Sequence, residues 1–121
     1  MKPTDLMIKD WVMVKVLSQI PDTYVLHTWA ANDYSRNLQV KPIPLTTEIL
    51  EKNGFIKVNS QRYDYGSPDT DCYVKVNPKK NMIHVNGRNT NSNLYSHSFV
   101  HELQRALRCC GLNELANNFK V

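Results

Sequence analysis

The sequence predicts an α+β fold in one domain, residues 1–121: a strongly bent antiparallel sheet packed against a C-terminal amphipathic helix and a short middle helix. Three observations carry the prediction. Short β-branched, apolar segments punctuated by turn residues fill 11–29 and 72–86. The stretch from Ser96 to Gly111 instead repeats its apolar residues at helical spacing. A chain of 121 residues can bury one core, with little to spare.

Residues 11–17, WVMVKVL, have strand composition; Pro21-Asp22 supplies a turn, and 23–29, TYVLHTW, complete an N-terminal antiparallel pair. Residues 30–37 are polar and predict a loop, after which 38–41 form a short strand stopped by Pro42 and Pro44. Thr46 can accept a hydrogen bond from the first turn of a helix reaching Lys52, with Glu48 and Glu51 outward and Asn53-Gly54 ending it. Phe55, Ile56 and Val58 begin another strand. A polar loop is expected over 59–71, in which Tyr63 and Tyr65 alternate as an edge strand whose rings cover the core. Segments 72–77 and 82–86 flank Pro78-Lys79-Lys80-Asn81, the best hairpin in the chain, with Pro78 in the second position of a type I turn. With 78–81 as the loop, Val76 faces Ile83, Val74 faces Val85 and Lys75 faces His84, which sorts apolar from polar residues by face. Residues 86–93, NGRNTNSN, read as a polar loop.

In the last helix, Phe99, Val100, Leu103, Ala106, Leu107 and Cys110 fall within one apolar stripe that the rest of the chain must cover. Ser96 or Ser98 can cap it, Arg105 and Arg108 suit its negative end, and Gly111 allows a left-handed exit. The opposite side carries His101, Gln104, Arg105 and Arg108 and is expected to be solvated. Residues 112–121 predict a short terminal turn of helix.

Hydrophobic residues make up 41% and charged residues 21%, a globular balance with no run long enough to span a membrane. Asp5 and Asp10 interrupt the N-terminal segment, so it does not read as a signal peptide, and a cytoplasmic protein is expected. Three cysteines, two of them adjacent, cannot form a framework of paired disulfides, and reduced thiols are expected. The net charge of +4 is unevenly spread: residues 1–71 hold 8 basic and 9 acidic side chains, and residues 72–121 hold 7 basic and 2 acidic. That excess favours an anionic partner without reaching the density of a DNA-binding arm.

No catalytic pattern survives inspection. His101-Glu102-Leu103-Gln104-Arg105 starts as a zinc-protease motif, but Arg105 stands where the second histidine belongs, and a guanidinium has no lone pair to offer a metal. His97 and His101 have helical ligand spacing, with Cys109 two turns beyond, yet no fourth ligand is suitably spaced, so no metal is expected. Cys72 and His84 fall on opposite faces of the hairpin and cannot pair as nucleophile and base. The four glycines are scattered, which excludes a glycine-rich phosphate loop and leaves no cofactor site. The one constellation suited to binding is Tyr73, Lys75, Lys79, Lys80, His84 and Arg88, an aromatic ring among cations as nucleic-acid-binding surfaces use.

The segments Asp5 to Val12, Pro42-Ile43-Pro44-Leu45-Thr46-Thr47-Glu48-Ile49-Leu50 with Gly54-Phe55, and Val100-His101-Glu102-Leu103-Gln104 resemble a family of small proteins of gut bacteria and their prophages or mobile elements, across nearly the whole chain. That family has no established activity, so the resemblance implies context without catalytic residues. The opening also resembles the Leu-x-x-Gly-Asp-x-Val entry to SH3-like barrels, with Lys9 in place of the glycine. The function expected is a non-enzymatic accessory or protein-interaction role within a mobile element, with a protein partner. The alternative is weak, sequence-nonspecific nucleic-acid binding by the basic second half.

Overall fold

The computed structural model describes residues 1–16, 23–66, 72–87, 90–95 and 98–121. In chain order the elements are β1 (Trp11–Val16), β2 (Thr23–Thr28), β3 (Val40–Lys41), α1 (Thr47–Lys52), β4 (Ile56–Lys57), β5 (Tyr63–Gly66), β6 (Tyr73–Asn77), β7 (Met82–Gly87), β8 (Thr90–Tyr95), α2 (Val100–Cys109) and α3 (Asn113–Asn117). Short 3-10 turns at Pro3–Asp5, Ala31–Ser35 and Pro78–Lys80 join them. Among the described residues all strand pairing is antiparallel, in a three-stranded sheet of order β2-β1-β3 and a five-stranded sheet of order β4-β5-β6-β7-β8. The fold is α+β, and no helix among the described residues is long and apolar enough to cross a membrane.

The hairpin has the register that its side-chain pattern requires: Val74 opposite Val85, Lys75 opposite His84 and Val76 opposite Ile83. The four valine and isoleucine side chains of that set are at most 1% exposed, because they meet α2. Its turn is tied by the Asn77 side chain, which accepts the N–H of Lys80 at 3.3 Å, and Asn81 takes the left-handed conformation at φ 51°. Asparagine tolerates that region better than other residues with a Cβ.

Two segments differ from the sequence expectation. In the polar stretch 86–93 the described residues are strand where a loop is expected: Asn86 and Gly87 continue β7, 90–93 belong to β8, which pairs with β7, and 88–89 lie outside the described residues. Asn, Thr and Ser show no apolar alternation, so only the unpaired flank of β7 reveals the strand, and that is a long-range property. Tyr63 and Tyr65 do lie toward the core, but β5 is an inner strand, since β4 pairs along its other side.

Helix α2 is the centre of the molecule. Val100, Leu103, Ala106 and Leu107 are fully buried in the main core with Leu50, Phe55 and Tyr63, and Trp11 and Met13 of β1 pack against the same cluster. At its start the N-cap position falls on Phe99, and Glu102 reaches back to the N–H of Phe99 at 3.3 Å. Ser96 lies outside the described residues, and Ser98, at φ 57°, is buried, with its hydroxyl 3.4 Å from the carbonyl of Pro78. The strand-like segment around Pro44 bridges to this point, with Leu45 N–H bonded to Ser98 O at 2.8 Å and Val100 N–H to Ile43 O at 2.9 Å. Gly111 exits at φ 83°, and Leu112 N–H bonds back to Leu107 O at 2.9 Å, the left-handed stop that the sequence predicts.

A smaller cluster of Leu6, Val12 and Trp29 lies under the three-stranded sheet. The chain enters β1 through a turn in which Lys9 holds φ 77°, its N–H bonded to Trp29 O at 2.8 Å. This is the local geometry for which the SH3-type entry uses glycine, kept here by a residue that pays a steric penalty for it.

Candidate functional site

The hairpin face brings together only part of the set that the sequence singles out. Lys75 and His84 are directly opposite and half-buried, and Lys79 and Lys80 are exposed on the turn. Arg88 lies outside the described residues. Tyr73 is on the same face as Lys75 but is only 8% exposed, so its ring is not offered for stacking on a base. Its hydroxyl donates to Asp64 at 2.6 Å, and the Lys75 ammonium sits 5.1 Å from its ring centroid. That hydrogen bond to the carboxylate, with burial second, raises the tyrosine pKa. Asp64 also faces Lys75 across the β5–β6 pair and accepts from Arg62 at 3.2 Å. An anion laid along this face would meet a buried carboxylate beside the lysine. Among the described residues of this face only the turn presents unopposed positive charge, and the tyrosine among the cations is a structural strut.

The polar side of α2 also departs from expectation. Gln104 is fully buried and His101 is 6% exposed, because the segment from Asp5 to Trp11 lies across them. The Gln104 amide oxygen accepts the N–H of Trp11 at 2.9 Å, and its nitrogen donates to the carbonyls of Lys9 and Ala116, each at 2.9 Å. Arg108 donates to the fully buried Asp10 at 2.5 Å, and Arg105 donates to the carbonyl of Asp5. These cations are spent within the fold. His101 stacks on Phe99 with centroids 6.0 Å apart, and its Nδ1 is buried with no hydrogen-bond partner. Burial lowers its pKa, against the opposing pull of Glu102 and Asp10. Among the described residues no group of three or more His, Cys, Asp or Glu side chains is placed to hold a metal, and His97 lies outside them.

A third feature is visible only once the strand order is known. Strand β2, six residues long, ends the three-stranded sheet, and no described strand pairs with its outer edge. Its sequence, Thr23-Tyr24-Val25-Leu26-His27-Thr28, holds no acidic, lysine or arginine side chain and no proline. Val25 and Leu26 are 48% and 53% exposed, one on each face of the sheet. The flanking groups are internally satisfied: Lys41 lies over the Tyr24 ring at 4.1 Å, and His27 Nε2 bonds to Asp33 at 2.8 Å. Asp33 is buried and also accepts from the N–H of Ala30 at 2.8 Å and from Arg36 at 3.0 Å. Desolvation works to raise its pKa, but the bonds from His27, Ala30 and Arg36 outweigh it and hold the carboxyl below the usual range. The sequence reveals β2 as a strand but not as an edge.

No family model, no curated protein and no solved structure matches the chain. What geometry and chemistry define is a small α+β protein with a hydrogen-bonded hub under its central helix and, among the described residues, an edge strand, β2, without acidic, lysine, arginine or proline residues.

Proposed function

We propose that this protein is a non-enzymatic accessory protein that binds a partner protein by strand addition at the outer edge of β2. The occupant is an extended, uncharged, apolar segment of that partner. The observation that carries the reading is the edge itself. Natural sheets protect long edge strands with lysine, proline, bulges or covering segments, and β2 has no acidic, lysine, arginine or proline residue while exposing Val25 and Leu26. A segment added there gains main-chain hydrogen bonds along its length and apolar contacts on both faces. The absence of acidic, lysine and arginine side chains on β2 selects an uncharged occupant, because a charged side chain would be desolvated against Val25 and Leu26.

Origin in a prophage or other mobile element, and a cytoplasmic location, belong to the same proposal. They are supported by the motifs from Pro42 to Leu50 and Val100 to Gln104 and by the globular composition. The left-handed turn at Lys9 supports reading the three-stranded unit as SH3-like. The test is capture of a partner from the source cells by the wild-type chain, the Val25→Lys/Leu26→Lys variant and the Lys79→Ala/Lys80→Ala variant, with folding checked by circular dichroism. A partner held by the wild type and the turn variant but lost by the edge variant supports the reading. Capture that is indifferent to the edge contradicts it.

The second reading, weak nucleic-acid contact, is favoured by Lys79 and Lys80 exposed together on the hairpin turn with Lys75 behind them. It confines any such contact to the turn.

A further inference from the structure

Cys72 and Cys110 are 38 residues apart in sequence and meet where the start of β6 passes the end of α2. The Cys72 thiol donates to the carbonyl of Cys110. The Cys110 sulfur lies 3.9 Å from the carbonyl of Asn86, on the strand next to Cys72. Their exposures differ in a way that assigns roles. Cys72 is partly exposed, Cys110 is 5% exposed, and Cys109, the next residue, faces solvent.

We propose that Cys72 and Cys110 are a modification site: a thiol pair that reacts with a low-molecular-weight disulfide, such as oxidised glutathione, to form an intrachain disulfide. Cys72 attacks and Cys110 resolves. In the first step the Cys72 thiolate bonds to one sulfur of the reagent, the reagent's sulfur–sulfur bond breaks, and one thiolate leaves. In the second, Cys110 gives up its proton to that thiolate or to solvent, and its sulfur attacks the Cys72 sulfur. The second reagent thiol departs as the Cys72–Cys110 bond forms. The protein loses two hydrogen atoms, and the reagent is reduced to two thiols.

The order of attack follows from access and acidity together. Burial pushes the Cys110 thiol up to about 11, so it is protonated at neutral pH and closed to an outside reagent. Cys110 becomes competent only toward a sulfur already beside it. The product bond clamps the C-terminal end of α2 to the sheet, and the odd cysteine count leaves Cys109 over. This inference is independent of the strand-edge reading.

The experiment treats the full chain, in a Cys109→Ser background, with oxidised glutathione, quenches with N-ethylmaleimide and measures intact mass and melting midpoint. The expected product has lost two hydrogens, carries neither maleimide nor glutathione, and melts on the order of 10 °C higher than the reduced form, as closure of a loop of this length implies. Cys110→Ala should stall with one glutathione held on Cys72, and Cys72→Ala should not react while folded. Both thiols still alkylated, a stable glutathione adduct in the Cys109→Ser background, or a bond between chains would overturn the proposal. If Cys110→Ala fails to fold by circular dichroism, Cys72→Ala decides the order of attack, and rapid glutathionylation of its Cys110 overturns it.

Discussion

Gln104 and Trp11, 93 residues apart, are joined by a 2.9 Å hydrogen bond from the Trp11 backbone N–H to the Gln104 side-chain oxygen. The same amide donates to Lys9 and Ala116, so one side chain fastens the N-terminal turn, the central helix and the C-terminal helix. Replacing Gln104 by Leu keeps the volume but removes the side-chain partner of the Trp11 N–H and of the Lys9 carbonyl, while the Ala116 carbonyl still accepts from the Phe119 N–H at 3.4 Å. It should cost about 2 kcal/mol or more, since each unsatisfied buried group costs roughly 1–3 kcal/mol. Urea unfolding measures this; a loss below about 1 kcal/mol would mean that water reaches those groups.

Arg108 and Asp10 form the second tie. Asp10 is fully buried and the Arg108 side chain is 12% exposed, so Arg108→Ala leaves an uncompensated buried carboxylate. That change is expected to cost about 3–5 kcal/mol, with the double change Arg108→Met/Asp10→Asn costing clearly less. A double-mutant cycle in guanidinium chloride tests the coupling.

Stability should depend on the protonation of His101. Its folded pKa lies below the ordinary histidine value of about 6.5, because burial disfavours the charged ring. The unfolded chain therefore binds the proton first. The stabilising contribution of the neutral ring is complete above about pH 6.5 and shrinks as the pH falls from there toward the folded pKa. His101→Phe should remove that slope, match the wild type near pH 8 and exceed it near pH 5. Thermal melts across pH 5–8 check this, and identical slopes for the two proteins would refute the assignment.

If the hairpin turn contacts nucleic acid, Lys79→Ala/Lys80→Ala should weaken the contact and flatten its salt dependence by up to about two units in the log–log slope. Folding should be unchanged, because both side chains are exposed. Fluorescence anisotropy at low salt with single- and double-stranded DNA and RNA reads the effect. Absence of binding to all four probes retires this reading.

Local signals made much of the fold legible. Alternation in 72–86 fixes the hairpin register through Val74, Val76, Ile83 and Val85, and helical spacing in 98–111 gives α2 and its glycine stop. The burial of Gln104 and His101 was not legible, because the wheel of α2 shows one apolar stripe and cannot show that a segment nearly a hundred residues upstream covers the other side. Tyr73 carried the same ambiguity: its place on the polar face was readable, while its bond to Asp64 depends on the β5–β6 pairing. β8 was hidden because Asn, Ser and Thr have no apolar period, and the open edge of β2 because strand order is set by long-range pairing.

The most direct test of the strand-addition reading is amide hydrogen exchange on residues 23–28, measured on the free protein and on its captured complex. The account predicts that amides on the outer side of β2 exchange quickly in the free protein and slow by at least about tenfold in the complex, as new main-chain hydrogen bonds form along the edge. Unchanged exchange in β2, with protection appearing at the hairpin turn or elsewhere, would contradict it.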